Sequence, residues 1–192
     1  AAMHVGRVAC TVSSAYSRQA RDFGRVHAIL DQLAPALVYA SDAAAYGPAL
    51  AGWGGAAQRV FSQGAEGVPG ALPLSALASA RESDAVARAF AAIAPEDEAK
   101  YLLTSGSTGT PKVVVNTHRM LCANQQQIAQ VWPFLRRHKL VLLEWLPWSH
   151  TFGANHNFNM ALAHAGSLYI DEGRPAPGLV EKTLRNLREV KP

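Results

Sequence analysis

At 192 residues, with 49% hydrophobic and 17% charged residues and a formal net charge of +4, the chain suits one globular domain able to bury a proper core. That composition excludes a disordered tail, no apolar run approaches the roughly 18–20 residues of a membrane span, and the opening AAMHVGRVAC lacks the basic-then-apolar layout of a signal peptide. Cys10 and Cys122 are isolated and match no metal or redox spacing, so a reducing, cytoplasmic compartment is expected.

In chain order, Gly6–Val12 reads as a buried strand followed by a polar turn over Ser13–Ser17. Phe23, Val26, Leu30 and Leu33 then fall at helical spacing, with Asp22 near the start and Pro35 as the stop. Ala36–Ala40 is a second strand, and Ser41 and Asp42 look like caps of an alanine-rich helix running to about Leu50. Glycine recurs from Ala51 to Pro73; Gln58–Phe61 is the one strand there, the rest reads as loop, and Trp53 is expected to lie over the core as a lid. Helix returns near Ser75. Ser83 or Asp84 caps a further helix that turns Val86, Phe90 and Ile93 inward and closes at Pro95.

Glu96, Asp97 and Glu98 form an acidic turn, a poor metal site because adjacent carboxylates in a turn point different ways. Tyr101–Thr104 and Val113–Val115 are strands either side of a polar loop. Thr117 caps a helix with Leu121, Asn124, Ile128, Val131 and Leu135 on one stripe, interrupted near its end by Pro133. Arg136, Arg137, His138 and Lys139 make a basic knot too small, and too poor in aromatics, for nucleic acid; a solvated helix end is the expectation. Leu140–Trp145 is a near-continuous apolar strand and Leu146–Gly153 a polar turn. A helix over about Ala154–Ala163, strand Ser167–Ile170, a Gly/Pro stretch and a last helix with Val180, Leu184, Leu187 and Val190 inward complete the chain. Strands alternating with helices predict an α/β fold, a layered parallel sheet flanked by helices.

Two stretches carry chemistry. The first is YLLTSGSTGTPK. Gly106 and Gly109 let the backbone bend close to a ligand, and successive N–H groups in such a turn can converge on an anion. Thr104, Ser105, Ser107, Thr108 and Thr110 add hydroxyl donors, and Lys112 adds a full charge, so phosphate is the guest. The spacing is not that of the Walker loop, where Lys directly follows the second Gly. The second stretch, LPWSHTFG, sits just beyond the C-terminal end of a predicted strand, where open α/β sheets bind ligands. His150 can orient a carboxylate, Phe152 offers an aromatic wall, and Gly153 leaves space beside it. His156 and His164 form no metal pair with a matching carboxylate. The alternation of Asn155, Asn157 and Asn159 with His156 and Phe158 marks a polar helix start near a pocket, or capping.

TSGSTG-x-PK resembles the phosphate-loop motif of the adenylate-forming superfamily: acyl- and aryl-CoA synthetases, luciferases and the adenylation domains of peptide synthetases. LPxxHxxG resembles the next core motif of the same superfamily, in the right order. MLCANQQQIAQVWPFL, WLPWSHTFGANHNFNM and LYIDEGRPAPGL resemble the feruloyl-CoA synthase branch. Val8–Ser17 resembles the family's V-S-P-A-Y-S turn, with Ser14 in place of the proline. The resemblance implies part of the large N-terminal AMP-binding domain over residues 1–192, with the phosphate loop over 101–115 and an acid-pocket motif over 146–153.

It implies ATP, Mg²⁺ and coenzyme A as co-substrates, with an aromatic carboxylic acid as the other reactant and no nucleic-acid or membrane partner. Thr104, Ser105, Gly106, Ser107, Thr108, Gly109, Thr110 and Lys112 would hold ATP phosphates, and Ser107 or Thr108 would touch the magnesium. His150 and Lys112 would be the catalytic groups, and His150, Phe152 and Gly153 the acid pocket. The family's adenine and ribose motifs and C-terminal domain do not follow in this sequence. The chain alone is therefore expected to be inactive, to hold no cofactor tightly, and to self-associate through exposed apolar edges. The alternative is a non-catalytic α/β module whose loop holds phosphate.

Overall fold

The computed structural model describes residues 1–104 and 111–192. In chain order the elements are β1 (Ala9–Cys10), α1 (Ala15–Arg18), α2 (Gly24–Leu33), β2 (Leu37–Asp42), α3 (Ala43–Ala51), β3 (Gln58–Gln63), β4 (Leu72–Pro73), α4 (Leu74–Ala78) and α5 (Asp84–Ala91). There follow β5 (Glu98–Thr104), β6 (Lys112–Thr117), α6 (His118–Val131), β7 (Val141–Glu144), α7 (Asn159–Ala163), β8 (Ser167–Ile170) and α8 (Val180–Val190). The strands form three sheets, ordered β1-β5-β6, β2-β3-β4 and β7-β8. β1 runs parallel to β5, β2 to β3, β3 to β4 and β7 to β8, so the parallel α/β expectation holds. Among the described residues no helix is long and apolar enough to cross a membrane.

The chain divides into two units. One comprises Val12–Arg88 and Thr104–Lys112. Its core follows from helical periodicity: Val26, Ile29 and Leu30 of α2 are buried at i, i+3 and i+4. The helix stops where Ala34 turns left-handed, at φ 41°, ahead of Pro35. Asp42 caps α3 by accepting from the Ala45 amide at 2.9 Å, while Ser41 belongs to β2. Val26, Leu30, Ala49, Leu50, Trp53 and Phe61 pack together. Full burial of a side chain such as Phe61 contributes on the order of 1.5–3 kcal/mol. Trp53 is a member of this core rather than a lid, because its indole N–H has a partner inside: Nε1 donates to Asp31 Oδ1 at 2.7 Å. The ring lies over Gly55, where a Cβ would come within 2.0 Å of it, which accounts for a glycine at that position.

The other unit comprises Ala1–Thr11, Ala89–Leu103 and Val113–Pro192. The strand expected over Gly6–Val12 contracts to Ala9–Cys10, because Ala2–Val5 winds into a 3₁₀ turn closed by Gly6 at φ 66°. Phe90, expected inward, is 55% exposed and stacks on the His4 ring at 4.4 Å. Glu96 pairs with Arg119, Asp97 accepts from the Ala94 amide and Glu98 from the Tyr101 hydroxyl, so the three carboxylates do point to different partners. Thr117 caps α6 by accepting from the Met120 amide at 3.3 Å. The buried residues of α6 are Gln125 and Ala129; Leu121, Asn124 and Ile128 of the expected stripe are half-buried, and Val131 is 74% exposed because the helix ends there at Trp132. The basic knot Arg136–Lys139 is exposed throughout.

α8 is turned away from its expected face: Val180, Leu184 and Leu187 are exposed. A polar anchor sets its rotation instead. Buried Asp171, just after β8, accepts from Thr183 Oγ1 at 2.7 Å, Asn186 Nδ2 at 2.7 Å and the Gly173 amide at 2.8 Å. Thr183 and Asn186 are therefore the residues that must face the sheet. Burial alone pushes the Asp171 carboxyl up; the hydrogen bonds from Thr183, Gly173 and Asn186 outweigh it and hold the group below its ordinary 3.8.

Candidate functional site

The strands bounding the glycine-rich loop form as expected, β5 ending at Thr104 and β6 starting at Lys112. Thr104 Oγ1 donates to the Lys112 carbonyl at 3.5 Å, Pro111 is buried and Lys112 is exposed. Ser105, Gly106, Ser107, Thr108, Gly109 and Thr110 lie outside the described residues. Thr104 and Lys112 belong to one unit; His150, Phe152 and Gly153 belong to the other, where LPWSHTFG stands on its own geometry.

That motif begins where β7 ends. Leu146 N–H donates to Glu144 Oε1 at 2.6 Å, and Thr11 Oγ1 donates to the Trp148 carbonyl at 2.6 Å. The turn closes with His150 N–H on the Pro147 carbonyl, and the His150 carbonyl accepts from Ala154 to start a helix. Phe152 and Gly153, expected in the turn, are already helical: Phe152–Phe158 forms a π-helical segment that continues into α7. The wider π turn is uncommon and concentrates at functional sites. Gly153 is buried beneath the turn, and a Cβ there would meet Pro147 O at 2.8 Å and Leu146 O at 3.0 Å. Its missing side chain admits the backbone of LPWS. His150 is exposed.

A groove of about 430 Å³ separates α6 from the π-helical segment. Met120, Leu121 and Asn124 line it from α6, with Asn116 at the end of β6; Thr151, Phe152, Asn155 and His156 line the other side. Its size falls within the ~300–1,000 Å³ of small-molecule sites. Asn155 Nδ2 donates to Asn116 Oδ1 at 3.0 Å and to Thr151 Oγ1 at 3.3 Å, while its Oδ1 has no partner among the described residues. Gln125 Nε2 donates to the Asn155 carbonyl at 2.8 Å.

The His156 ring stands edge-on to Phe152, 5.0 Å between centroids, and to Trp132 at 5.6 Å. Its Nδ1 lies 2.7 Å from Asn157 Oδ1, and Asn157 Nδ2 donates to Glu144 Oε2. Glu144 is only 3% exposed.

Glu144, Asn157 and Lys100 are the residues that sequence reasoning missed. Glu144 was absorbed into an apolar strand; its signal is that a carboxylate inside LVLLEW must be buried and hydrogen-bonded. Asn157 belongs to the alternating asparagines read as a polar helix start near a pocket, or as capping, with no partner named for it. Lys100, in β5, is 6% exposed and reaches across to the π-helical segment, its Nζ donating to the Ala154 carbonyl at 3.3 Å. Burial lowers its pKa. Cys10 is half-buried and free, and burial pushes its thiol up to about 11, which makes it a poor nucleophile. Among the described residues no group of three or more His, Cys, Asp or Glu side chains is placed to hold a metal ion.

The family model for AMP-binding enzymes matches residues 1–192. The chain belongs to this family. Among curated members, 92 residues are 35% identical to a long-chain-fatty-acid–CoA ligase of Escherichia coli O6:H1, covering 47% of this chain and 16% of that protein. Over 125 residues the chain is 33% identical to the 2-hydroxy-7-methoxy-5-methyl-1-naphthoate–CoA ligase of Streptomyces carzinostaticus, covering 62% of this chain and 22% of that protein. The chain thus spans less than a quarter of either relative.

Among solved structures, a malonyl-CoA ligase with methylmalonyl-CoA and AMP bound superposes over 98% of this chain and 34% of its own, with a TM-score of 0.66 and 26% identity. A luciferase-like enzyme from Zophobas morio, at 13% identity, shares the fold with a TM-score of 0.68. The expected fold, an N-terminal region of the adenylate-forming kind, therefore stands.

Proposed function

We propose that the full-length protein is an ATP-dependent acid–CoA ligase that activates an aromatic, hydroxycinnamate-type acid. The observation that carries the reading is the match of all residues 1–192 to the AMP-binding enzymes. Its relatives named above are ligases that join CoA to an acid, one of them to an aromatic naphthoate. An aromatic acid is further supported by the groove walled by Phe152, and the hydroxycinnamate class by the resemblance of WLPWSHTFGANHNFNM to feruloyl-CoA synthases. A cytoplasmic enzyme belongs to the same reading, supported by two free thiols.

The chemistry has two halves. A carboxylate oxygen of the acid attacks the α-phosphorus of ATP, the bond to the β-phosphate bridge breaks, and pyrophosphate leaves an acyl-adenylate. The sulfur of coenzyme A then attacks the acyl carbon and AMP departs. The first half gathers anions, so catalysis is charge neutralisation and positioning. In this reading the hydroxyls of Thr104, Ser105, Ser107, Thr108 and Thr110 hold the ATP phosphates with their backbone amides. Gly106 and Gly109 allow the close approach and Lys112 supplies charge. Ser107 or Thr108 would touch the magnesium that accompanies ATP, which would offset phosphate charge. His150 orients the incoming carboxylate, and Phe152 walls the ring.

The test is pyrophosphate exchange by the full-length enzyme with hydroxycinnamic acids. Ser107→Ala combined with Lys112→Ala is expected to lower exchange by about 100-fold or more, the effect of removing anion-stabilising donors. Exchange unchanged by that pair would remove the phosphate-loop assignment.

A further inference from the structure

The Glu144–Asn157–His156 chain has a defined direction. An ionised carboxylate only accepts hydrogen bonds, so Glu144 Oε2 fixes the Asn157 amide with Nδ2 toward it. The Leu146 amide on Oε1 holds the carboxylate in place. Asn157 Oδ1, an acceptor, is then the atom facing His156 Nδ1, which must be the donor. A neutral His156 is thereby held with its proton on Nδ1 and its lone pair on Nε2. The ring lines the groove beside Phe152 and is braced by Trp132. A groove that sets His156 Nε2, held as an acceptor, beside the apolar walls of Met120, Leu121 and Phe152 suits a ligand whose aromatic body carries a hydrogen-bond donor.

We propose that His156 Nε2 accepts the hydrogen bond of the acid's ring hydroxyl, and that Glu144 and Asn157 are positioning residues that set this preference by fixing the histidine tautomer. The proposal rests on the acid-ligase reading and names the part of the substrate that the groove reads. Phe152 stacks on the ring of the acid, and Met120 and Leu121 from α6 close the opposite wall. An acid with a methoxy group or hydrogen in place of the hydroxyl leaves Nε2 without a donor and is selected against.

The experiment measures kcat/KM of the full-length enzyme for 4-hydroxycinnamic, 4-methoxycinnamic and unsubstituted cinnamic acids. The wild type is expected to favour the hydroxylated acid tenfold or more. His156→Leu costs the hydroxylated acid most and brings the three acids within about threefold, and His156→Gln, which keeps an acceptor, retains part of the preference. Glu144→Gln is the sharper variant. Its new amide donates to Asn157, the Asn157 amide turns over, and His156 Nε2 becomes a donor, so the methoxy acid gains on the hydroxy acid. Nitrogen-15 spectra of the His156 ring report the tautomer directly, with the proton on Nδ1 in the wild type and on Nε2 in Glu144→Gln.

A wild-type ring protonated on Nε2 alone overturns the proposal. So does a hydroxyl preference that His156→Leu and Glu144→Gln leave intact while aromatic acids are still activated; in that case the ligase reading survives. Absence of activation of any aromatic acid overturns both.

Discussion

Gly153→Ala tests whether the LPWSHTFG turn is held by backbone packing. Alanine favours a helix over glycine by about 1 kcal/mol, so helical propensity alone predicts stabilisation. Packing predicts the reverse. The added Cβ would sit 2.8 Å from Pro147 O, 3.0 Å from Leu146 O and 3.2 Å from the Leu146 carbonyl carbon, where ordinary contact begins near 3.4 Å. These are backbone atoms of a turn tied down through Thr11 and Glu144, and they cannot swing aside as a side-chain tip would. Overpacking of this kind costs about 1–3 kcal/mol, and the rigidity of the turn places it toward the upper end.

The net expectation is a loss of about 1–2 kcal/mol, read as a fall in Tm of about 2–8 °C for a chain of this size. Gly47→Ala is the matched control. It sits within α3 with no atom beyond its chain neighbours inside 4 Å of a built Cβ; the helix-propensity gain of about 0.5–1 kcal/mol is opposed by the ring of Pro48, which follows it, so little net change is expected. Both variants are followed by circular dichroism on heating. A Tm for Gly153→Ala at or above the wild type would refute the reasoning, as would an equal fall in both.

Asp171→Asn leaves two amide hydrogens where three donors converge, and is expected to cost about 1–3 kcal/mol near neutral pH. The carboxyl is held below its ordinary 3.8, so its contribution is fully present above that value and is lost as pH falls through the folded value. Denaturant titrations should show the gap between wild type and Asp171→Asn narrowing below about pH 4; a constant gap would count against the anchor. Lys100 carries the opposite sign. Its pKa is lowered by burial, so the cost of keeping it charged is relieved as pH rises from the folded value toward 10.5. Lys100→Met is therefore expected to raise Tm by a few degrees near pH 7, by an amount that shrinks toward pH 10.5; a gain independent of pH would remove desolvation as the cause.

The sequence by itself settled what is local. Helical spacing in α2, the caps at Asp42 and Thr117, strand β8 and the strands bounding the glycine loop all arise from neighbours within a few positions, and each appears where periodicity and capping put it. The motif wording pointed to the AMP-binding enzymes for the same reason, since its glycines, hydroxyls and lysine are contiguous. Only the tertiary structure decided which way faces turn and which polar groups are buried. Apolar Val180, Leu184 and Leu187 were expected inward, yet a distant carboxylate, Asp171, rotates α8 so that Thr183 and Asn186 face the sheet. Glu144 looked like an interruption in an apolar strand until folding brought Asn157 to it from thirteen residues away. Lys100 likewise meets its carbonyl 54 residues along the chain. A buried polar group requires a partner but does not name one, and the partner is chosen by packing between elements that no window of sequence contains.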